Sequence, residues 1–235
     1  MNASAQSRPV FIAALRREIA DFTSGWKTDA ALLRRGIYLY WNDQAVVACA
    51  GMGARRAALA VEAALALGTA RALISVGWAG ACDPSLAAGD IVRANTVIDA
   101  RTGERFFLQR GATEPEQGTL VTVAAPAGIV EKQRLRASYN ASAVDMEAAA
   151  VAHLARARDM PFYAIKAISD NADFELPGMQ RFASPTGQFR EAAFAFHVAL
   201  RPQLWRPVMT MARDSKLAAQ RLHVAMRAYL MQHSG

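Results

Sequence analysis

Three carboxylates in this chain stand where side chains can do chemistry. Glu18 follows the apolar run Val10–Leu15, Glu147 opens a helix after an apolar approach, and Asp170 follows the stretch FYAIKAIS. Open α/β sheets bind ligands at the carboxyl ends of their strands. A carboxylate held there loses hydration, and its proton affinity rises into a range useful for acid and base catalysis. Residue type alone leaves a second reading open, in which the three are helix caps or turn acids and Asp170 closes an Asx turn.

The elements that must position these groups can be traced along the chain. Val10–Leu15 reads as a buried strand, and Ile37–Trp41 with Ala45–Ala50 as a hairpin around Asn42 and Asp43. Ala54–Leu67 is alanine-rich and ends at Gly68, which predicts a helix with a glycine stop. Ala72–Val76 predicts a buried strand entering a small-residue loop, Gly77–Gly80. Ile91–Ile98, Thr119–Val123 and Phe162–Ile168 read as strands, Val144–Ala157 and Gln188–Leu200 as helices, and Arg101–Gln117 as a polar loop near the site. Strands alternating with helices predict an α/β protein with a largely buried, mixed central sheet.

Composition narrows the function classes. The 235 residues are 53% hydrophobic and 20% charged, as in a folded globular chain. No apolar run reaches the roughly 20 residues that span a bilayer. The N-terminal apolar run is too short for a secretory signal, so a cytoplasmic location is expected. Cys49 and Cys82 are the only cysteines and lack metal-ligand spacing, so neither a metal nor a disulfide framework is expected. The net charge of +7 is concentrated after residue 200, where six Lys/Arg face one acid, Asp214. Basic and aromatic residues are not interleaved across the fold, which argues against a nucleic-acid groove.

The stretch AVDMEAAAVAHLARARDMPFYAIKAISDNAD resembles the signature of the methylthioadenosine/S-adenosylhomocysteine nucleosidases and purine nucleoside phosphorylases. SVGWAGACDPSLAAGDIV resembles their glycine-rich loop and following strand, and VFIAALRREI their first strand and turn. ADFELP and RPQLWRPVMTMARDSKLAAQRL are similar to the C-terminal region of the hopanoid-associated phosphorylases, a branch whose 5′-substituted adenosine carries a large lipid. The resemblance implies a three-layer α/β/α catalytic domain over residues 1–200, with a basic helical extension over 201–235. It implies cleavage of the N-ribosidic bond of a purine nucleoside, releasing adenine from a 5′-modified adenosine of the adenosylhopane, methylthioadenosine or S-adenosylhomocysteine type. Asp170 would protonate the purine, Glu147 would bind the ribose hydroxyls and Glu18 would activate water. Met146 would pack on the ribose, Ser169 would belong to the site with Asp170, and backbone near Ala127 would read the base edge. No cofactor is implied. A homodimer is expected, as in most such folds.

Some residues depart from the family pattern. Trp78 stands where the family has serine and Ser75 where one branch has arginine, which favours hydrolysis over phosphorolysis. Phosphate remains a candidate co-substrate, with Arg16, Arg17 or the Gly51–Gly53 turn and its Arg55 and Arg56 as anion ligands. The aromatic that stacks on adenine is replaced near Pro126 and Ala127, leaving Phe106 or Phe107 as substitutes, or as fillers of a satellite core. Trp78 either shapes a wider pocket or packs in the core. A binding protein that has lost catalysis is the remaining alternative. In the tail, Ala218, Leu222, Ala225, Met226 and Tyr229 fall at helical spacing. They predict a helix docked on the body or on a second subunit, or one resting on an anionic membrane surface.

Overall fold

The computed structural model describes residues 7–68, 70–108, 118–175, Phe194 and 201–233. Its sheet has eleven strands, most with apolar residues on both faces, because helices cover both sides. In chain order they are β1 Arg8–Ala13, β2 Lys27–Thr28, β3 Tyr38–Trp41, β4 Val46–Cys49, β5 Ala70–Ala81, β6 Ile91–Arg93, β7 Thr96–Asp99, β8 Arg105–Phe107, β9 Thr119–Thr122, β10 Ala141–Asp145 and β11 Phe162–Asp170. The spatial order is β2-β3-β4-β1-β5-β10-β9-β7-β8, with β11 pairing β5 and β6. Parallel pairs (β1 with β4 and β5, β5 with β11) and antiparallel pairs (β3 with β4, β5 with β10) coexist, so the sheet is mixed.

Helices α3 Ala54–Leu65 and α5 Ala148–Arg156 pack together on one face. The other face carries α1 Arg16–Ile19, α4 Ile129–Tyr139 and α6 Trp205–Gln232. Side-chain alternation assigns the faces: Val10 and Ile12 join the α3/α5 core, while Phe11 and Ala13 join the core under α6. Val97 and Leu120 point to the first face, and Ile98 and Val121 meet Leu135 of α4 on the second. The exposed helix α2 Ala30–Arg34 is capped by Asp29, whose carboxylate accepts from the Ala31 and Leu32 N–H groups.

The three-layer architecture agrees with the sequence reading, and several elements differ from it. Gly77–Gly80 is not a loop, for β5 runs through it in register with β11. Ile91–Ile98 forms two strands, because the chain breaks at Ala94 and Asn95 to hydrogen-bond Ala164 and Gly118. Val144 and Asp145 end β10, and the helix begins only at Ala148, whose N–H is taken by the Asp145 carboxylate at 2.9 Å. The supposed loop 101–117 contains β8; its residues 109–117 lie outside the described residues, as does the helix expected over Gln188–Leu200 apart from Phe194. Helix α4 was not expected, since it buries only Lys132 and Leu135 and so carries no apolar stripe.

The stripe on α6 is buried as spaced: Ala218, Leu222, Ala225, Met226 and Tyr229 all pack into the core beneath it. That face is therefore covered by the sheet, against β11 above all, and is not presented to a lipid surface. No helix among the described residues is long and apolar enough to cross a membrane.

Candidate active site

The site arises where β5 changes neighbours. β1 pairs with β5 over Ala70–Ser75, and β10 takes over only at Gly80 and Ala81. Between them two backbone groups are met by side chains. The Trp78 N–H donates to Glu18 Oε1 at 3.3 Å, and the Val76 carbonyl accepts from the Lys166 ammonium at 3.1 Å. A cleft where adjacent strands part is the usual ligand site of an open α/β sheet. Here it holds a cavity of about 1010 Å³. Its walls come from the turn after β1, from Trp78–Gly80, from the β10–α5 junction, from the end of β11, from the start of α4, and from α6 through Met211, Ala212, Ser215, Lys216, Ala219 and Gln220.

Glu18 sits on α1, 5% exposed. Its Oε2 accepts from the Ala14 and Leu15 N–H groups at 3.0 and 2.9 Å, so the carboxylate is held by the turn that produced it. Burial raises its pKa, opposed by these amides and by Lys166. Gly77 makes room for it: φ is +123°, and a Cβ there would lie 2.9 Å from Glu18 Oε2.

Glu147, 6% exposed, stands at the N-cap position of α5, and its side chain accepts from the Gly53 N–H at 2.7 Å. Its pKa is pushed up to about 7, by burial first and then by the charge of Asp145. The Gly51–Gly53 turn thus gives one of its N–H groups to a protein carboxylate. Asp145 and Lys166 form an ion pair at 2.9 Å beneath the site, both fully enclosed. Asp145 also accepts from Thr122 Oγ1, and Thr122 in turn accepts from the Ala149 N–H. Burial pulls the Lys166 pKa down, but Asp145, Glu147 and Glu18 outweigh it, and the net direction is upward. One buried cation therefore serves three carboxylates.

Asp170 comes from another part of the cavity wall, at a register shift that ends β11, and its side chain is 26% exposed. Ser169 Oγ donates to its Oδ1 at 2.7 Å, and Lys132 Nζ approaches its Oδ2 at 2.5 Å. Gly80 provides the clearance, since a Cβ there would lie 2.9 Å from Asp170 Oδ2 and 3.0 Å from Lys132 Cε.

Glu18, Glu147, Asp170, Met146, Trp78, Ala127 and Ser169 thus line one cavity. Phe106 does not. It lies in the core on β8 with Arg156 stacked over its ring at 4.8 Å, while the alternate residue Phe107 is 79% exposed. Arg17 lines the cavity and stacks over Trp78 at 4.9 Å. Arg16 instead lies over Tyr38, and Arg55 and Arg56 are not among the lining residues.

Sequence reasoning missed Asp145, Lys166, Lys132, Thr122 and Glu175. Lys166 had a signal, because a lysine inside the apolar strand FYAIKAIS requires a buried partner. Lys132 had none, sitting among the polar residues of α4.

A family model for the phosphorylase superfamily matches residues 12–127 and 108–201. The chain belongs to that superfamily. Solved structures share the fold. The futalosine hydrolase of Helicobacter pylori superposes with a TM-score of 0.62 at 17% identity, covering 94% of this chain and 98% of that one. The 5′-methylthioadenosine/S-adenosylhomocysteine nucleosidase of Helicobacter pylori, in complex with a substituted pyrrolidinol, gives 0.63 at 16% identity with the same coverage. The corresponding nucleosidase of Campylobacter jejuni gives 0.62 at 16%, covering 92% and 97%. No curated protein matches the chain in sequence.

Proposed function

We propose that the protein hydrolyses the N-ribosidic bond of a 5′-modified purine nucleoside, releasing adenine. The observation that carries this reading is that two buried carboxylates, Glu18 and Glu147, and a third, partly exposed one, Asp170, line one cavity. Glycosidic cleavage needs an acid for the leaving group, negative charge beside the sugar cation and a base for the nucleophile. Asp170 serves the purine N7 and Glu147, once ionised, accepts from the ribose hydroxyls. Glu18 takes the proton from water as its oxygen bonds to C1′. Met146 lies against the sugar and the backbone at Ala127 reads the base edge. The nucleosidases among the structural neighbours give this chemistry a precedent on the same fold.

Two features favour water over phosphate. The glycine-rich stretch is a strand whose N–H groups are spent on β11 and on Glu18. Of the arginines near the turn, only Arg17 reaches the cavity, and it is stacked on Trp78. Arg17 is also the observation that keeps phosphorolysis as a second reading. No cofactor enters either route. The substituent at the 5′ carbon is read as large, because the cavity lies at the upper end of the roughly 300–1,000 Å³ of small-molecule sites. That favours an adenosylhopane-like substrate over methylthioadenosine or S-adenosylhomocysteine. A homodimer is proposed and is checked by light scattering. The basic outer face of α6, with Met209 and Val224 beside Arg213 and Arg227, is the proposed contact with an anionic membrane, checked by liposome sedimentation.

The deciding experiment supplies 5′-modified adenosines with and without phosphate and follows adenine and the sugar product. Adenine with free sugar in the absence of phosphate supports hydrolysis. Release only with phosphate replaces it by phosphorolysis. Tight binding without release means a binding protein.

A further inference from the structure

The ion pair on the base-side wall has a consequence for where the leaving group finds its proton. Lys132 is 1% exposed, and its Nζ has three acceptors: Asp170 Oδ2 at 2.5 Å, the Asn171 carbonyl at 2.7 Å and the Phe174 carbonyl at 3.1 Å. Three acceptors use all three N–H bonds of an ammonium, and a neutral amine could not satisfy them. Asp170 meets this cation on one oxygen, the contact of an ammonium with a carboxylate, and the Ser169 hydroxyl lies 2.7 Å from its other oxygen and 3.3 Å from the Ala79 carbonyl. A carboxylate has no proton to give to a departing purine. The ammonium behind it has one.

We propose that Lys132, acting through Asp170, supplies the proton that neutralises the departing purine. The inference rests on the nucleosidase reading above. As the C1′–N9 bond breaks, its electron pair passes into the purine and charge builds at N7. A proton moves from Lys132 Nζ to Asp170 Oδ2 and from Asp170 to N7. The products are neutral purine, carboxylate Asp170 and a neutral amine at Lys132. Water contributes its oxygen to C1′ and one proton to Glu18, and solvent returns that proton to the lysine. Lys132 acts through Asp170, which it positions and supplies with a proton.

The groups around Lys132 leave Asp170 as its ionic partner. On α4 itself, Glu131 pairs with Arg134 at 2.6 Å and Arg136 with Asp83 at 2.8 Å. At the end of β5, burial pushes the Cys82 thiol up to about 12, so it stays neutral. Glu175 faces the start of α4, where it accepts from the Ile129 N–H at 3.3 Å. Lys132 also stands one turn after Gly128, so the wall proposed to read the base edge and the proton source belong to one helix start.

The test is the pH profile of adenine release from a nucleoside that the wild-type protein cleaves, measured for Lys132→Met and Lys132→Arg. Without the lysine, Asp170 must take its proton from solvent. Lys132→Met is expected to lose about 100-fold at neutral pH, with the deficit relative to wild type shrinking as pH falls. Lys132→Arg keeps the charge but does not release a proton, and is expected to lose rate similarly. Thermal unfolding of both variants identifies any that fail to fold. An equal loss at every pH, or full activity in Lys132→Arg, overturns the proton-supply role and leaves the nucleosidase reading standing. A wild-type protein that cleaves no nucleoside overturns both.

Discussion

The two walls of the cavity hold their carboxylates by different physical means. On one, Glu18 and Glu147 are nearly inaccessible and are fixed by backbone N–H groups from the β1–α1 turn, from Trp78 and from Gly53. On the other, Asp170 is partly exposed and is held by two side chains, Ser169 and Lys132. Backbone dipoles fix position and favour the anion without carrying a mobile proton. Side-chain donors can also exchange protons. Under the proposed reaction the first wall suits the sugar, where negative charge must be ready, and the second suits the base, where a proton must move.

Substitutions on either wall can break this contrast. The largest loss is expected from Asp170→Asn, which keeps an oxygen for Lys132 but removes the proton carrier; adenine release should fall by about 10³-fold with the thermal transition retained. Glu147→Gln should lower release by about 10²-fold, the scale of losing one electrostatic stabiliser. Its pH behaviour carries a sharper signature. With its pKa raised to about 7 from 4.5, Glu147 keeps its proton in the folded state while the unfolded chain releases it. Its contribution to stability is therefore complete below 4.5 and is lost as pH rises toward 7. Thermal melts across that interval should show stability falling with pH in the wild type and a flatter response in Glu147→Gln. Activity should do the opposite, with an acid limb in kcat/KM near 7 that the variant lacks.

The two clearance glycines sharpen the comparison. Gly77→Ala places a Cβ 2.9 Å from Glu18 at a φ of +123°, so it should cost activity and about 1–3 kcal/mol of stability together. Gly80→Ala crowds Asp170 and Lys132 without a left-handed backbone, and should reduce adenine release with a smaller shift in melting temperature. Equal stability losses for the two would remove the distinction. The smallest effect is expected from Phe106→Leu: a core substitution costing about 1 kcal/mol in denaturant titration, with KM unchanged.

Legibility in the sequence followed the range of the interactions. Buried strands such as Val10–Leu15 and Phe162–Ile168 were readable because apolar runs report burial on both faces, and the α6 stripe because its spacing is local. The glycine-rich stretch was misread as a loop because glycine signals turns in isolation, whereas Gly77 and Gly80 are small to clear Glu18 and Asp170, which lie 59 and 90 positions away in the chain. Phe106 could be placed only once β8 was paired with β7, since its face depends on register. The placement of Glu18, Glu147 and Asp170 at strand ends was accessible from pattern and resemblance. The ion-pair partners of the cations were not, because Lys132 and Lys166 meet carboxylates that other elements or distant parts of the chain supply, although the lysine inside FYAIKAIS already called for a buried partner.

Helix α6 follows the eleven described strands and covers an apolar face of their sheet while walling the cavity. Synthesis runs in the same order. A nascent chain that has completed its sheet therefore displays Phe11, Ile74, Val76 and Ile165 uncovered and has no finished pocket. Such a face is the kind of surface on which partly made proteins aggregate or engage chaperones. Docking of α6 ends both conditions together, because the same helix covers that face and completes the cavity wall.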